Sequence, residues 1–154
     1  MQVRKDRIFN LYLNEVKGKY PGEYVKKAVE KVGYLPQYIL RECPVLCSQD
    51  IFLSSRALMH IQEKRREILE GLILPNAYSL LCFPSGIYEN DRSGKGKRAD
   101  ILLVKELGTR IFLIAALEFK DSGIYKGYHV VTIFHSSSRY LDRRKCLWKK
   151  RMLS

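Results

Sequence analysis

Several groups of residues have the types and spacing that chemistry requires. His60 lies in a segment whose apolar residues Ala57, Leu58, Ile61, Ile68 and Leu69 recur at helical spacing, with Arg56, Lys64 and Glu67 as its neighbours at helical spacing. Cations beside an imidazole disfavour its protonated form, which suits a general base. The plain alternative is a partly exposed helix histidine. At about 100° per residue, Arg65 falls in the middle of the apolar stripe. A guanidinium there must pair, snorkel out or face a site. A second group is Thr132, His135, Ser136, Arg139 and Tyr140, at the end of an apolar run. Strict alternation would put Val130, Thr132 and Phe134 on one face and Val131, Ile133 and His135 on the other. Hydroxyls, a histidine and an arginine at a strand end can hold phosphate oxygens and stabilise developing charge. The same serines could simply cap a turn.

A third group is Asp100 with Glu118 and Lys120. An Asp at the start of one strand and Glu-x-Lys at the end of the next resembles the PD-(D/E)xK nucleases, in which carboxylates hold Mg²⁺ and a lysine assists the attacking water. Residues 89–98 form a polar, glycine-containing segment with Lys95, Lys97 and Arg98. It is not a nucleotide-binding loop, because Gly follows Gly94-Lys95 where Ser or Thr is needed, and Glu89 stands where the first Gly would be. It reads as a basic loop beside a nucleic acid or as a solvated loop. Cys43 and Cys47 flank Pro44 with no matching second pair, and the three histidines are not spaced to complete a zinc site. Free thiols and no metal or cofactor are expected.

The elements that must position these groups follow from periodicity. Ile8, Leu11, Tyr12 and Val16 predict a helix over 4–17, broken at Pro21-Gly22. Val25, Ala28, Val29 and Val32 predict a second helix from about Glu23 to Gly33, and residues 35–41 a short further turn. Ser54 or Ser55 can cap a long helix that runs to Glu70, with Gly71 closing it. Apolar runs at 78–83, 101–104, 110–119 and 128–134 predict four strands, with 105–109 and 121–127 as hairpin connections. The expectation is an α+β fold, with helices first and then a helix packed on a four-stranded antiparallel sheet. Residues 1–48 read as a helical extension and 49–154 as the functional domain. The tail carries Arg139, Arg143, Arg144, Lys145, Lys149, Lys150 and Arg151 interleaved with Tyr140 and Trp148. It can pair phosphates and stack bases, or form an amphipathic closing helix docked through Leu141, Leu147 and Trp148.

Charge narrows the partner. The 154 residues carry 28 Lys and Arg against 16 Asp and Glu, a formal net charge of +12. The basic residues are spread through folded-looking sequence, not confined to a tail, so a polyanion such as RNA is the expected partner. No run approaches the roughly 20 apolar residues of a membrane span, and the start has no apolar signal block, so a cytoplasmic site of action is expected.

From Ser54 onward the chain resembles the phage- and toxin-associated nucleases of the barnase, EndoU, colicin and RelE-like (BECR) group. The resemblance rests on His60-Ile61 leading to Arg65, then Ile73-Leu74-Pro75, Phe83-Pro84 with Ile87, the hairpin strands at 101–104 and 111–118, and Val130-Val131-Thr132-Ile133-Phe134. It implies a helix on a four-stranded antiparallel sheet and metal-independent endoribonuclease action through a 2′,3′-cyclic phosphate. It further implies a cognate antitoxin or immunity protein as a partner. On the resemblance, His60 is the acid or base acting on the 2′-hydroxyl, and Arg65 and Arg139 stabilise the phosphorane. Thr132 and Ser136 position the phosphate, and His135 is the second acid or base. Arg56, Lys64, Lys95, Lys97, Arg98, Lys120, Tyr140, Arg143 and Arg144 would contact RNA. Relatives often carry a second histidine near the position of Arg65, which this chain lacks. A noncatalytic RNA-binding module would use the same basic surface.

Overall fold

The computed structural model describes residues 3–90 and 99–151. Lys95, Lys97 and Arg98 lie outside the described residues. The elements in chain order are α1 (Arg7–Leu11), continued by a π-helical turn (Tyr12–Val16), β1 (Val29–Tyr34), α2 (Gln37–Glu42), β2 (Asp50–Ser54) and α3 (Ser55–Ile68). A second π-helical turn (Leu69–Ile73) leads into α4 (Leu74–Cys82), β3 (Gly86–Glu89), β4 (Ile101–Gly108), β5 (Ile111–Lys120) and β6 (Gly127–Ser136). A 3₁₀ turn (Ser138–Leu141) and β7 (Cys146–Lys149) follow. The fold is α+β, as expected, but the sheet is larger than four strands. Among the described residues it has seven, in the order β1-β2-β6-β5-β4-β3-β7, and it is mixed because β2 runs parallel to β6.

The differences from expectation have local causes. Val25, Ala28, Val29 and Val32 fit a helical spacing, yet 29–34 is strand β1, paired antiparallel with β2. Gly33 shows why. A Cβ there would stand 2.7 Å from both the Cβ and the carbonyl oxygen of Leu81, so α4 packs directly on this strand. The run at 78–83, expected as a strand, is the end of α4. Its buried residues Ala77, Leu80 and Leu81 sit at i, i+3 and i+4, and short apolar runs do not separate helix from strand. Ser54 caps α3 as expected, its hydroxyl accepting from the Ala57 amide at 3.0 Å. Gly71 does not close the helix; the chain runs on through the π-helical turn. The basic tail forms β7, with Trp148 buried, in place of a closing helix.

One face of the sheet carries the main core. There Leu53, Leu103, Leu113, Ala115, Leu117 and Ile133 meet Leu58, Ile61, Leu80 and Leu81 of α3 and α4. Residues before 49 share this core through Ile8, Leu11, Val16, Val32, Leu35 and Ile39. The other face is covered by a smaller cluster, in which Leu102, Val104, Ile114 and Ala116 meet Leu141, Phe134 and Tyr140. All four cysteines are free. Among the described residues, no helix is long and apolar enough to cross a membrane.

Gly33→Ala should therefore destabilise the fold by about 1–3 kcal/mol through overpacking. Gly71→Ala, with nothing within 4 Å of the new Cβ, should stabilise by about 0.5–1 kcal/mol. Urea titration of both variants checks this. Tyr12 gives a pH test. Burial first, and then its 2.6 Å hydrogen bond to the Glu70 carboxylate, push its phenol up to about 12. Its stabilisation is present below the ordinary tyrosine value near 10 and is lost as pH rises through about 12. The stability gap between wild type and Tyr12→Phe should close over that window.

Candidate functional site: a two-histidine cleft

The site is built by the junction of β2, α3 and β6. The parallel pairing sets Ile51 beside Tyr128 and Phe52 beside His129. Gly127 permits this approach. Its φ of 149° favours glycine, and a Cβ there would stand 2.9 Å from the Asp50 carbonyl oxygen and 3.0 Å from the Phe52 ring. The chain passes from β2 straight into α3, so the helix that carries His60 starts beside the strand that carries His129.

A cleft of about 750 Å³ opens at this junction. His60, His129, Glu118, Lys120, Arg56 and Lys27 line it, and Ile124 and Tyr125 of the β5–β6 loop form its rim. His129 is held on two sides. Its ring stacks on Phe52 at 5.3 Å between centroids and 30° between planes, and Nε2 lies 2.7 Å from the Tyr125 carbonyl oxygen. A carbonyl only accepts, so Nε2 carries the hydrogen, and in the neutral ring the free lone pair belongs to Nδ1. Tyr125 in turn meets Phe52 edge-on at 5.6 Å, and a Lys126–Asp121 ion pair of 3.2 Å spans the loop. Glu118 stands directly opposite His129 in the β5–β6 register. His60 is exposed and makes no hydrogen bond to another described residue. The arrangement joins two imidazoles, a carboxylate and cationic side chains in one cavity, which is a set suited to moving protons around a bound anion.

The sequence candidates divide between this cleft and other places. His60, Arg56 and Lys120 line it. Arg65 does not. The helical count fails there because the backbone at Arg65 is non-helical, with φ −137° and ψ 41°, and its guanidinium lies 5.5 Å from the Phe134 ring centroid. Lys64 is exposed on the same helix. A bulge between the Ala116–Thr132 and Leu117–Val130 pairs leaves Val131 without an opposite residue and reverses the alternation beyond it. Val130, Ile133 and His135 thus share the main-core face, whereas Thr132 and Phe134 share the other. Thr132 and His135 are on opposite faces, as strict alternation implied, but it is His135 and not Thr132 that shares the face of Val130. The Thr132 hydroxyl is buried and has no hydrogen-bond partner among the described residues, and His135 is exposed. Arg139 and Arg143 are exposed, Ser136 is half-buried, and Tyr140 packs on Phe134 at 5.2 Å. Arg144 stacks on Tyr140 at 3.8 Å and donates to its carbonyl oxygen.

The residues of the rival constellation line two different cavities. Asp100 accepts the Phe119 amide at 2.7 Å and lines a separate cavity with Cys47, Glu89 and Tyr128, while Glu118 and Lys120 line the histidine cleft. Among the described residues, no three His, Cys, Asp or Glu side chains are grouped to hold a metal ion. Sequence reading missed His129. Its only signal was a polar residue between buried Tyr128 and Val130, and what makes it a site residue comes from β2 and α3, far away in the chain. Compared with known proteins, the chain matches no family model, no curated protein and no solved structure.

Phe52 should report on this packing. Phe52→Leu removes the ring current over His129, so the His129 imidazole proton resonances should move while those of His60 stay in place. Imidazole NMR of the two proteins checks this.

Proposed function

We propose that the chain is a metal-independent endoribonuclease that cleaves RNA by transesterification to a 2′,3′-cyclic phosphate, with His129 and His60 as its acid–base pair. The observation that carries the reading is that both histidines line one cleft together with Arg56, Lys27 and Lys120. Nδ1 of His129 takes the proton of the 2′-hydroxyl as that oxygen attacks phosphorus. The bond from phosphorus to the 5′-oxygen breaks, and protonated His60 gives its proton to the departing oxygen. The electron pair of the broken bond leaves with the 5′-oxygen, so charge and protons balance. The Tyr125 carbonyl holds the His129 ring in one orientation and accepts from Nε2 in both protonation states. Glu118, opposite His129, supplies a counter-charge when the ring takes up the proton. Lys120, Arg56 and Lys27 face the phosphate, where cations stabilise charge that grows in the transition state.

This keeps His60 in the acid–base pair but moves it from the 2′-hydroxyl, where the resemblance put it, to the departing 5′-oxygen, and it replaces His135 with His129 as the second member. Arg65 and the Thr132–Arg144 group lie away from the cleft and are assigned no part in the chemistry.

Purified protein incubated with total RNA in EDTA should yield fragments ending in 2′,3′-cyclic phosphate. His60→Ala and His129→Ala should each reduce the rate by about 10²–10⁴-fold, the ordinary worth of one acid–base group. His135→Ala should leave it within about twofold. Saturable binding without cleavage, or cleavage lost only in His135→Ala, would sink the assignment.

A further inference from the structure

The segment from Lys17 to Ala28 has no regular secondary structure, yet it is fastened along α3. The Arg66 guanidinium and the Gln62 amide both donate to the Lys19 carbonyl oxygen, at 3.5 and 3.3 Å. The Gly22 amide donates to the Glu63 carboxylate at 3.3 Å. At the other end, the Ser55 hydroxyl donates to the Lys26 carbonyl oxygen at 2.6 Å and accepts from the Ala28 amide at 2.9 Å. Lys19 meets residues 62 and 66, Gly22 meets 63, and Lys26 and Ala28 meet 55, so the segment lies antiparallel to α3 and ends at the cleft, which Lys27 lines. From Glu63 to Ser55 this covers about 12 Å of helix.

Its two tyrosines point away from the core. Tyr20 is 75% exposed and Tyr24 is 74% exposed, although Val25 beside them is buried. Neither is on a loose end. Tyr20 starts a turn closed by the Glu23 amide donating to the Tyr20 carbonyl oxygen at 3.0 Å, with Pro21 and positive-φ Gly22 at its centre. The Glu23 carboxylate accepts the Tyr20 amide at 2.8 Å, and the Lys19 ammonium donates to the Tyr24 carbonyl oxygen at 3.3 Å. Tyr24 falls in the chain between Gly22, anchored to Glu63, and Lys26, anchored to Ser55. The segment thus holds two rings open to solvent in a strip that also bears Lys17, Lys19, Lys26 and Lys27.

We propose that this strip is a binding track for single-stranded RNA, in which Tyr20 and Tyr24 stack bases of the strand on one side of the scissile phosphate while the lysines hold its backbone. It rests on the reading of the cleft as an RNA site, though not on whether that site cuts. Rings with an open face accept any unpaired base, and bases stacked within a duplex cannot reach them. The positive strip selects a polyanion over an apolar partner.

The test measures binding of fluorescent 2′-O-methyl oligonucleotides, which cannot be cleaved, to the full chain at fixed salt. A 4-mer fits the cleft alone and a 12-mer reaches the track. Wild type should bind the 12-mer at least tenfold more tightly than the 4-mer, and more tightly than a 12-base-pair duplex. Tyr20→Ala/Tyr24→Ala should lose about tenfold or more on the 12-mer and leave the 4-mer unchanged. Tyr20→Phe/Tyr24→Phe should keep wild-type affinity, since the ring and not the hydroxyl is required. Equal 12-mer affinity of the double-Ala variant, equal losses on both lengths, or equally strong competition by polyglutamate would overturn the track. Tyrosine-dependent binding without RNA cleavage would keep the track and remove the catalytic assignment, whereas cleavage with inert tyrosines would do the reverse.

Discussion

The parallel pairing of β2 with β6 is the contact on which the rest of the site depends. It is short, setting only Ile51 against Tyr128 and Phe52 against His129. Yet it joins the β1–β2 pair to the β6-β5-β4-β3-β7 part of the sheet and so closes the seven-stranded order. A parallel pair needs a long crossover, and here α3, α4 and the strands between supply it. The crossover begins at Ser55, directly after β2, which places the His60 helix next to the strand that carries His129. The backbone at Gly127 is what allows the two strands to meet so closely. The cost of ordering such a non-local contact is offset by the core it completes, where Ile51, Leu53 and Tyr128 are all buried.

How much of this was legible in the sequence follows from how local each signal is. Strands 101–108, 111–120 and 127–136 were readable because each carries a long β-rich run with turn residues at its ends. The start of α3 was readable because a serine cap is a contact within three residues. β1, β2, β3 and β7 were not recognised as strands. They are short, and their pairing partners lie elsewhere in the chain. Val29 to Tyr34 is a strand because Leu81 of α4 and Ile51 of β2 pack against Gly33, and nothing within the segment announces either neighbour.

The candidate site shows the same division. His60 was visible as a histidine off the apolar stripe of a helix, a property of the helix alone. His129 was invisible because its importance comes from Phe52, Tyr125 and α3. The bulge at Val131 misled in the opposite sense: it separates Thr132 from the face that simple alternation implied, and one extra residue reverses every side chain after it. The basic residues divide in a similar way. Lys27, Arg56 and Lys120 converge on the cleft, whereas β7, with Lys149, closes the opposite edge of the sheet from β1. The net charge thus serves one cleft only in part, and the tail contributes to a different surface.

We propose that His60 and His129, distant in sequence, act as one catalytic unit because β2 and β6 bring them together. A double-mutant cycle on the cleavage rate measures this most directly. Strong non-additivity is expected: His60→Ala/His129→Ala should lose little more than either single variant, as when two groups serve one step. Losses that multiply would contradict it, since the two histidines would then be acting independently.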